Sequence, residues 1–171
     1  KGTNGLPGKI TIASLCDDLT ESRDGLIQVL GVDPGGNDIN LLSCASGDIE
    51  TNGLVLSRAH AHVPPLTLHR PNIHVAAFGG SVTVNANTQE PLFDDTTVAG
   101  TQYDLWGGLL SWVTANVNPG TVQVQAMTDV SANGHGDDPT PPVRKSFGAI
   151  AAIATASDAP GGVVDVRSLT G

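Results

Sequence analysis

Apolar and polar residues alternate with a period of two along most of this chain. Lys9-Ile10-Thr11-Ile12-Ala13-Ser14-Leu15, Ser81-Val82-Thr83-Val84-Asn85, Thr121-Val122-Gln123-Val124-Gln125-Ala126 and Gly162-Val163-Val164-Asp165-Val166-Arg167 are the clearest cases. Such alternation puts every second side chain on one face of a strand, so one face meets a core and the other meets water. Between these runs stand turn-forming residues: Asp33-Pro34-Gly35-Gly36, Gly79-Gly80, Asn118-Pro119-Gly120 and Ala159-Pro160-Gly161-Gly162. Thr51-Asn52-Gly53 separates Asp48-Ile49-Glu50 from Leu54-Val55-Leu56, and Asn-Gly between two such runs predicts a β-hairpin. The pattern predicts about ten strands by this template. Two segments have apolar residues at helical spacing, Leu15 to Leu30 and Tyr103 to Val113. Gly25, Gly31 and the Gly107-Gly108 pair disfavour a helix in both, which leaves room for one or two short helices at most.

Composition points the same way. The 171 residues include 21 Gly and 11 Pro, with three Lys and three Glu against 14 Asp. Exposed helix positions normally use Glu, Lys, Gln and Arg, whereas Val, Ile and Thr suit pleated surfaces and Asn, Asp and Gly suit turns. The expected fold is all-β: an antiparallel two-sheet sandwich of jelly-roll type, or a barrel, with long loops. No repeat of fixed period is evident. The expected organisation is one β domain over residues 1–171. Residues 131–143 (Ser131 to Val143) form an exposed Pro/Gly/Asp-rich loop, and residues 144–171 form a C-terminal β-hairpin.

Charge removes several functions. The formal net charge is −9, and the eight Lys and Arg residues are scattered. Neutralising phosphates takes clustered cations, so neither nucleic acid nor an anionic membrane surface is an expected partner. The mostly apolar, uncharged run Ser146 to Ser157 is too short to span a bilayer. The chain opens Lys1-Gly2-Thr3 with no basic, apolar leader, which fits prior removal of an N-terminal segment.

Candidate chemistry is sparse. Cys16 and Cys44 are the two cysteines. They either pair across neighbouring strands or stay as two buried thiols. Four of the five histidines cluster as His60, His62, His69 and His74. His60 and His62 share one face if their segment is a strand, which makes His60, His62 and His74 a candidate metal set. Surface or interface histidines account for them equally. Asp129, Asp137 and Asp138 around Gly134 and Gly136 offer hard oxygen ligands for Ca²⁺, as well as ordinary turn chemistry. Trp106 and Trp112 sit together and fit an interface or a sugar platform. There is no Gly-x-Ser-x-Gly, phosphate-binding Gly-rich loop with Lys, His-Glu-x-x-His or Cys-x-x-Cys pattern. The expectation is therefore a non-enzyme with no cofactor, Ca²⁺ aside.

Three resemblances bear on function. His60-Ala61-His62 partly resembles the His-x-His pair of cupin metalloenzymes, but no carboxylate follows until Glu90 and Pro64-Pro65 interrupts the run. The last 27 residues, from Lys145 to Gly171, comprise an Ala-rich segment, a Gly turn and alternating valines. They resemble the C-terminal hairpin of bacteriophage head-decoration (cement) proteins. The acidic, Lys-poor composition is also like that of single-jelly-roll virus capsid proteins. The last two resemblances imply a structural subunit of a virion or other extracellular assembly that works through protein–protein contacts as a homo-oligomer, a trimer for choice, or in a capsid lattice. The alternatives are a secreted jelly-roll carbohydrate-binding module using Ca²⁺ and a cupin-like metalloenzyme.

Overall fold

A computed structural model describes residues 8–31, 38–59, 70–86, 88, 93–98, 101–113, 120–135, 145–154 and 161–170. Among them are sixteen strands and no helix. In chain order these are β1 (Ile10–Ser14), β2 (Leu19–Glu21), β3 (Leu26–Gly31), β4 (Asp38–Ser43), β5 (Ile49–Thr51), β6 (Leu54–Ala59), β7 (Asn72–Ala77), β8 (Val82–Asn85), β9 (Phe93–Val98), β10 (Thr101–Leu105), β11 (Gly108–Val113), β12 (Thr121–Ala126), β13 (Val130–Asn133), β14 (Lys145–Ser146), β15 (Ile150–Ala154) and β16 (Val163–Ser168).

Consecutive strands do not pair with one another in the main body. The chain coils through three sheets in turn. Sheet 1 has the order β1-β4-β7-β12-β16, sheet 2 the order β13-β8-β5-β2, and sheet 3 the order β15-β11-β6-β3. Every pairing in these sheets is parallel. The architecture is a three-sided parallel β-coil, which overturns the expected antiparallel sandwich, jelly-roll or barrel. The all-β expectation stands. Both segments with helical spacing contain strands: β2 and β3 in the first, β10 and β11 in the second. The one antiparallel pair among the described residues is β9 with β10; β14 adds to β10 in parallel, making a small outer sheet.

The interior consists of columns in which one position repeats from rung to rung. In sheet 1, Ile10, Ile39, Ile73, Val122 and Val164 are in register, as are Ile12, Leu41, Val75, Val124 and Val166. In sheet 3, Val55 and Leu109 lie in register with Ile27 and Ile150, and these residues join the same core. Strands stack about 4.8 Å apart, so each aliphatic side chain rests on its equivalent above and below. From Ile10 the column reaches Ile39 after 29 residues, Ile73 after 34, Val122 after 49 and Val164 after 42. The unequal intervals hide the repeat from the sequence.

Corners explain the turn residues. Asn52-Gly53 is a corner between sheets 2 and 3: β5 pairs with β2 and β8, and β6 with β3 and β11. The expected hairpin there does not form. The Asn52 amide donates to the Glu21 carbonyl (3.1 Å), Asn85 donates to Asn52 Oδ1 (2.8 Å), and Asn133 donates to Asn85 Oδ1 (2.7 Å). This asparagine ladder links one corner through all four complete rungs. Glycine is needed beside it because a Cβ on Gly53 would press on the Gly25 carbonyl. Gly107, at φ +101°, lies over the Gly53 carbonyl in the same way. At the corner between sheets 1 and 2, Asp18 Oδ1 accepts the Asp48 amide (2.9 Å) and Asp48 Oδ1 accepts the Ser81 amide (2.6 Å). Part of the aspartate excess is thus spent on backbone donors that the bend leaves without a strand partner.

Sheet 3 is covered on both faces. Its outward residues Leu54, Leu56, Leu110 and Trp112 pack with Leu105 from the end of β10 and with Phe147 next to β14. Hence β6 and β11 read as nearly continuous apolar runs instead of alternating. At the C-terminal end β15 lies in sheet 3 beside β11, and β16 lies in sheet 1 beside β12. The expected C-terminal hairpin is therefore two strands of different sheets. Residues 131–133 of the expected loop belong to β13, and 136–143 lie outside the described residues.

Two substitutions test this packing. Ile73→Ala, in an interior column, should cost about 2–5 kcal/mol, whereas outward Gln123→Ala in the neighbouring strand should stay within about 0.5 kcal/mol, both read from urea unfolding. Asn85→Leu removes the middle of the asparagine ladder and should cost about 1–3 kcal/mol by the same measurement; an unchanged midpoint would show the ladder to be incidental.

Candidate functional site

Three places in the coil could act on something outside it: the outer face of sheet 1, the N-terminal end of the interior and the C-terminal strand. The outer face of sheet 1 carries the polar half of the alternation. Thr11, Asn40, His74, Gln123 and Asp165 are in register across its five strands. Next to this row is an open groove of about 380 Å³, lined among others by Asp38, Asn40, Asn72, His74, Thr121 and Gln123. Asn72 is committed to structure: its amide donates to Asp38 (3.0 Å) and its Oδ1 accepts the Thr121 amide (3.0 Å). Partial burial lowers the His74 pKa from its usual 6.5 and so favours the neutral imidazole. The groove offers neutral hydrogen-bonding groups and one carboxylate, with no aromatic platform and no lysine or arginine among the described residues that line it.

The N-terminal end holds the one strongly perturbed carboxyl among the described residues. Glu21 stands in register with Thr51 and so faces inward. Both residues line a cavity of about 170 Å³ whose remaining wall is largely Ile12, Leu19, Ile27, Leu41 and Ile49. Burial raises the Glu21 pKa from 4.5 to about 7, against a smaller lowering by the Gly53 amide, which donates to Oε2 (3.3 Å). Glu21 Oε1 and Thr51 Oγ1 are buried without a hydrogen-bond partner. The alternating pattern gave no sign of this pair, because Glu21 occupies a position that in the rungs above holds Thr51 and Val84.

At the opposite end β16 pairs, among the described residues, with β12 alone. Val164 and Val166 continue the interior columns, yet each is 45% exposed, and Leu169 just beyond is 57% exposed. On the outer face of the same strand Arg167 makes a two-pronged contact with Asp165, at 2.8 Å for both Nε and Nη2.

The residues singled out in the sequence are placed as follows. His74 lies on the outer face of sheet 1; His60 and His62 lie outside the described residues, as do Asp137 and Asp138. Asp129 is exposed at the corner before β13. Among the described residues no group of three His, Cys, Asp or Glu side chains could hold a metal ion. Cys16 and Cys44 are free thiols, the first exposed and the second half-buried. Ser14 and Ser43 are in register, so Cys16 lies one residue past the position opposite Cys44 on the adjacent rung. Trp112 is only 3% exposed, tilted against Phe147 with centroids 6.4 Å apart, and the Arg58 guanidinium sits 4.2 Å from its ring centre. Trp106 is half-buried and stacks flat on His135, with 4.0 Å between centroids. The two tryptophans therefore form no shared platform. Comparison with family models, with curated proteins and with solved structures returned no match.

The buried Glu21 makes a pH prediction with a definite sign. In the unfolded chain this carboxyl ionises near 4.5, and in the folded protein near 7. Its contribution to stability is therefore complete below pH 4.5 and is lost as pH rises to about 7. Glu21→Gln should remove that fall: the variant and the parent should diverge between pH 4.5 and 7.5 in thermal-melt midpoint, with the variant the more stable at pH 8.

Proposed function

We propose that this chain is a non-enzymatic structural unit of a virion or other extracellular assembly, acting through protein–protein contacts with further copies of itself. The observation that carries the proposal is the C-terminal strand. Val164 and Val166, each 45% exposed, lie on a strand whose second edge has no partner among the described residues, and Leu169 just beyond it is 57% exposed. An unpaired edge and a continuing apolar column are what an added strand needs: main-chain hydrogen bonds supply affinity and the exposed valines supply a surface to bury. Leu26 and Leu30 on the outer face of β3 extend the apolar stripe of sheet 3 past its covered part and add a second patch. The net charge of −9 keeps copies apart until such a specific contact forms.

The alternatives have less support. A cupin-like centre requires a jelly-roll frame, which the parallel coil is not. A jelly-roll sugar-binding module loses the same frame, and its aromatic platform is lost with the burial of Trp112. The polar groove of sheet 1 is the remaining feature that fits a hydroxyl-rich ligand.

Sedimentation velocity across a hundredfold concentration range tests the proposal. The parent should self-associate, and more strongly at higher salt, where acidic copies repel less. Val166→Lys should shift the protein to monomer with its circular-dichroism spectrum unchanged. A parent that stays monomeric throughout, and adheres to no larger particle, would contradict it.

A further inference from the structure

We infer that the corner at which the strands of sheet 1 end is a docking surface for a cationic amphipathic helix of a partner protein, laid along a ridge of Leu15, Cys44, Phe78, Met127 and Leu169. The ridge is separate from the sheet 1 groove and from the Glu21 cavity, and it meets the β16 region only at Leu169. The inference therefore does not rest on self-association through β16.

The ridge follows from the register. Ser14, Ser43, Ala77, Ala126 and Ser168 form one row at the ends of the five strands. The ladder then runs one residue further. The amides of Cys44, Phe78, Met127 and Leu169 donate to the carbonyls of Ser14, Ser43, Ala77 and Ala126, at 2.9 to 3.1 Å. The residue after each strand is thus stacked on its equivalent, and on all five rungs it is apolar. Leu15, Phe78, Met127 and Leu169 are exposed, Leu15 by 75%, and Cys44 is half-buried. Four residues earlier the outward row is Thr11, Asn40, His74, Gln123 and Asp165, so this sheet carries polar groups where it meets only water. Scattered exposed apolar side chains are ordinary, whereas a continuous row of them marks a contact surface.

Two features name the partner. The main-chain groups along the ridge bond within the coil, so a partner on this face has to satisfy its own backbone, and an α-helix does so. Four steps of about 4.8 Å make a ridge of about 19 Å, the length of about 13 helical residues, and a helical pitch of about 5.4 Å brings one apolar side chain per turn near each rung. The second feature is charge. Round the corner Asp18, Asp48 and Asp129 precede the in-register Leu19, Ile49 and Val130, and so form an acidic row parallel to the ridge. All three are exposed, as is Asp17 between Leu15 and Asp18 in the chain. On the other side of the ridge the outward row is Ala13, Leu42, Ala76, Gln125 and Arg167, and Arg167 is held by Asp165. A helix with an apolar face, flanked by lysine or arginine on the acidic side, complements this arrangement. A second copy of this chain brings its own acidic row and a net charge of −9, which disfavours it as the occupant.

The test titrates synthetic peptides of about 14 residues into the full chain at physiological ionic strength. One is an amphipathic helix of leucines flanked by lysines. The second has the same composition, scrambled so that no apolar face forms. The third is the amphipathic helix with glutamates in place of lysines. Calorimetry reads affinity, and methyl chemical shifts of Leu15 and Met127 read location. The expected result is one-site binding of the amphipathic lysine peptide, at least about tenfold tighter than either control, with the shifts centred on those two residues. Phe78→Ser should weaken that peptide at least about tenfold with the circular-dichroism spectrum unchanged, and Leu15→Ser should do the same if Phe78→Ser disturbs the fold. Asp17→Asn combined with Asp129→Asn should narrow the gap between the lysine and glutamate helices. Equal affinity for the scrambled lysine peptide would reduce the attraction to net charge and overturn the inference. Equal affinity for the glutamate helix would make the ridge merely apolar and overturn it too. So would the absence of binding, shifts confined to other parts of the chain, or loss of self-association in Phe78→Ser, which would make the ridge a contact between copies.

Discussion

The structure depends on one constraint: each rung of the coil must place the same kind of side chain at the same height as the rung below. Parallel pairing without a register shift makes this possible, because residue i of one strand lies directly over its counterpart in the next. Ile39 on Ile73 on Val122, and Leu41 on Val75 on Val124, are the result in sheet 1. Corner residues obey the same rule with hydrogen bonds instead of methyl groups. Asn52, Asn85 and Asn133 satisfy one another in a row, as the Asp18 and Asp48 carboxylates satisfy the amides of the following rung. Where the rule lapses, something else happens. Glu21 places a carboxyl where its neighbours have Thr51 and Val84, and a cavity opens there. β16 begins a fifth rung with one strand among the described residues, and its valines are about half exposed.

The strand content was legible in the sequence and the direction of the strands was not. Thr121 to Ala126 alternates, and it forms β12 with its valines buried. Alternation reports only that a strand has one wet face. Parallel sheets are usually covered on both sides, so alternation argues for antiparallel pairing. In this coil the interior is shared by three sheets, and sheets 1 and 2 expose their outer faces, so parallel strands alternate too. Asn52-Gly53 misled for a related reason. The pair permits a sharp bend, but a bend into the next sheet and a reversal along the same sheet draw on the same residue types. The valines before Gly171 were correctly read as a strand; their partner is β12, forty-two residues back, which no local pattern could show.

Function was less legible, because the features that matter arise from stacking. The exposure of Val164 and Val166 is invisible in a run that looks like any other buried strand; among the described residues no strand lies over them. Glu21 reads as one of three glutamates until Thr51 is seen in register with it. Conversely, Trp112 looked available from its neighbours in sequence, and the outer sheet with Phe147 covers it.

The parallel coil is the claim on which the columns and the corners rest. Methyl–methyl nuclear Overhauser contacts in a selectively labelled sample test it most directly. The coil predicts an unbroken chain of contacts from Leu41 to Val75 to Val124, with Val55 touching both Ile27 and Leu109. Cross-strand backbone contacts between Thr51 and Leu54 flanking Asn52-Gly53, without the Leu41–Val75–Val124 series, would show antiparallel hairpins and contradict it.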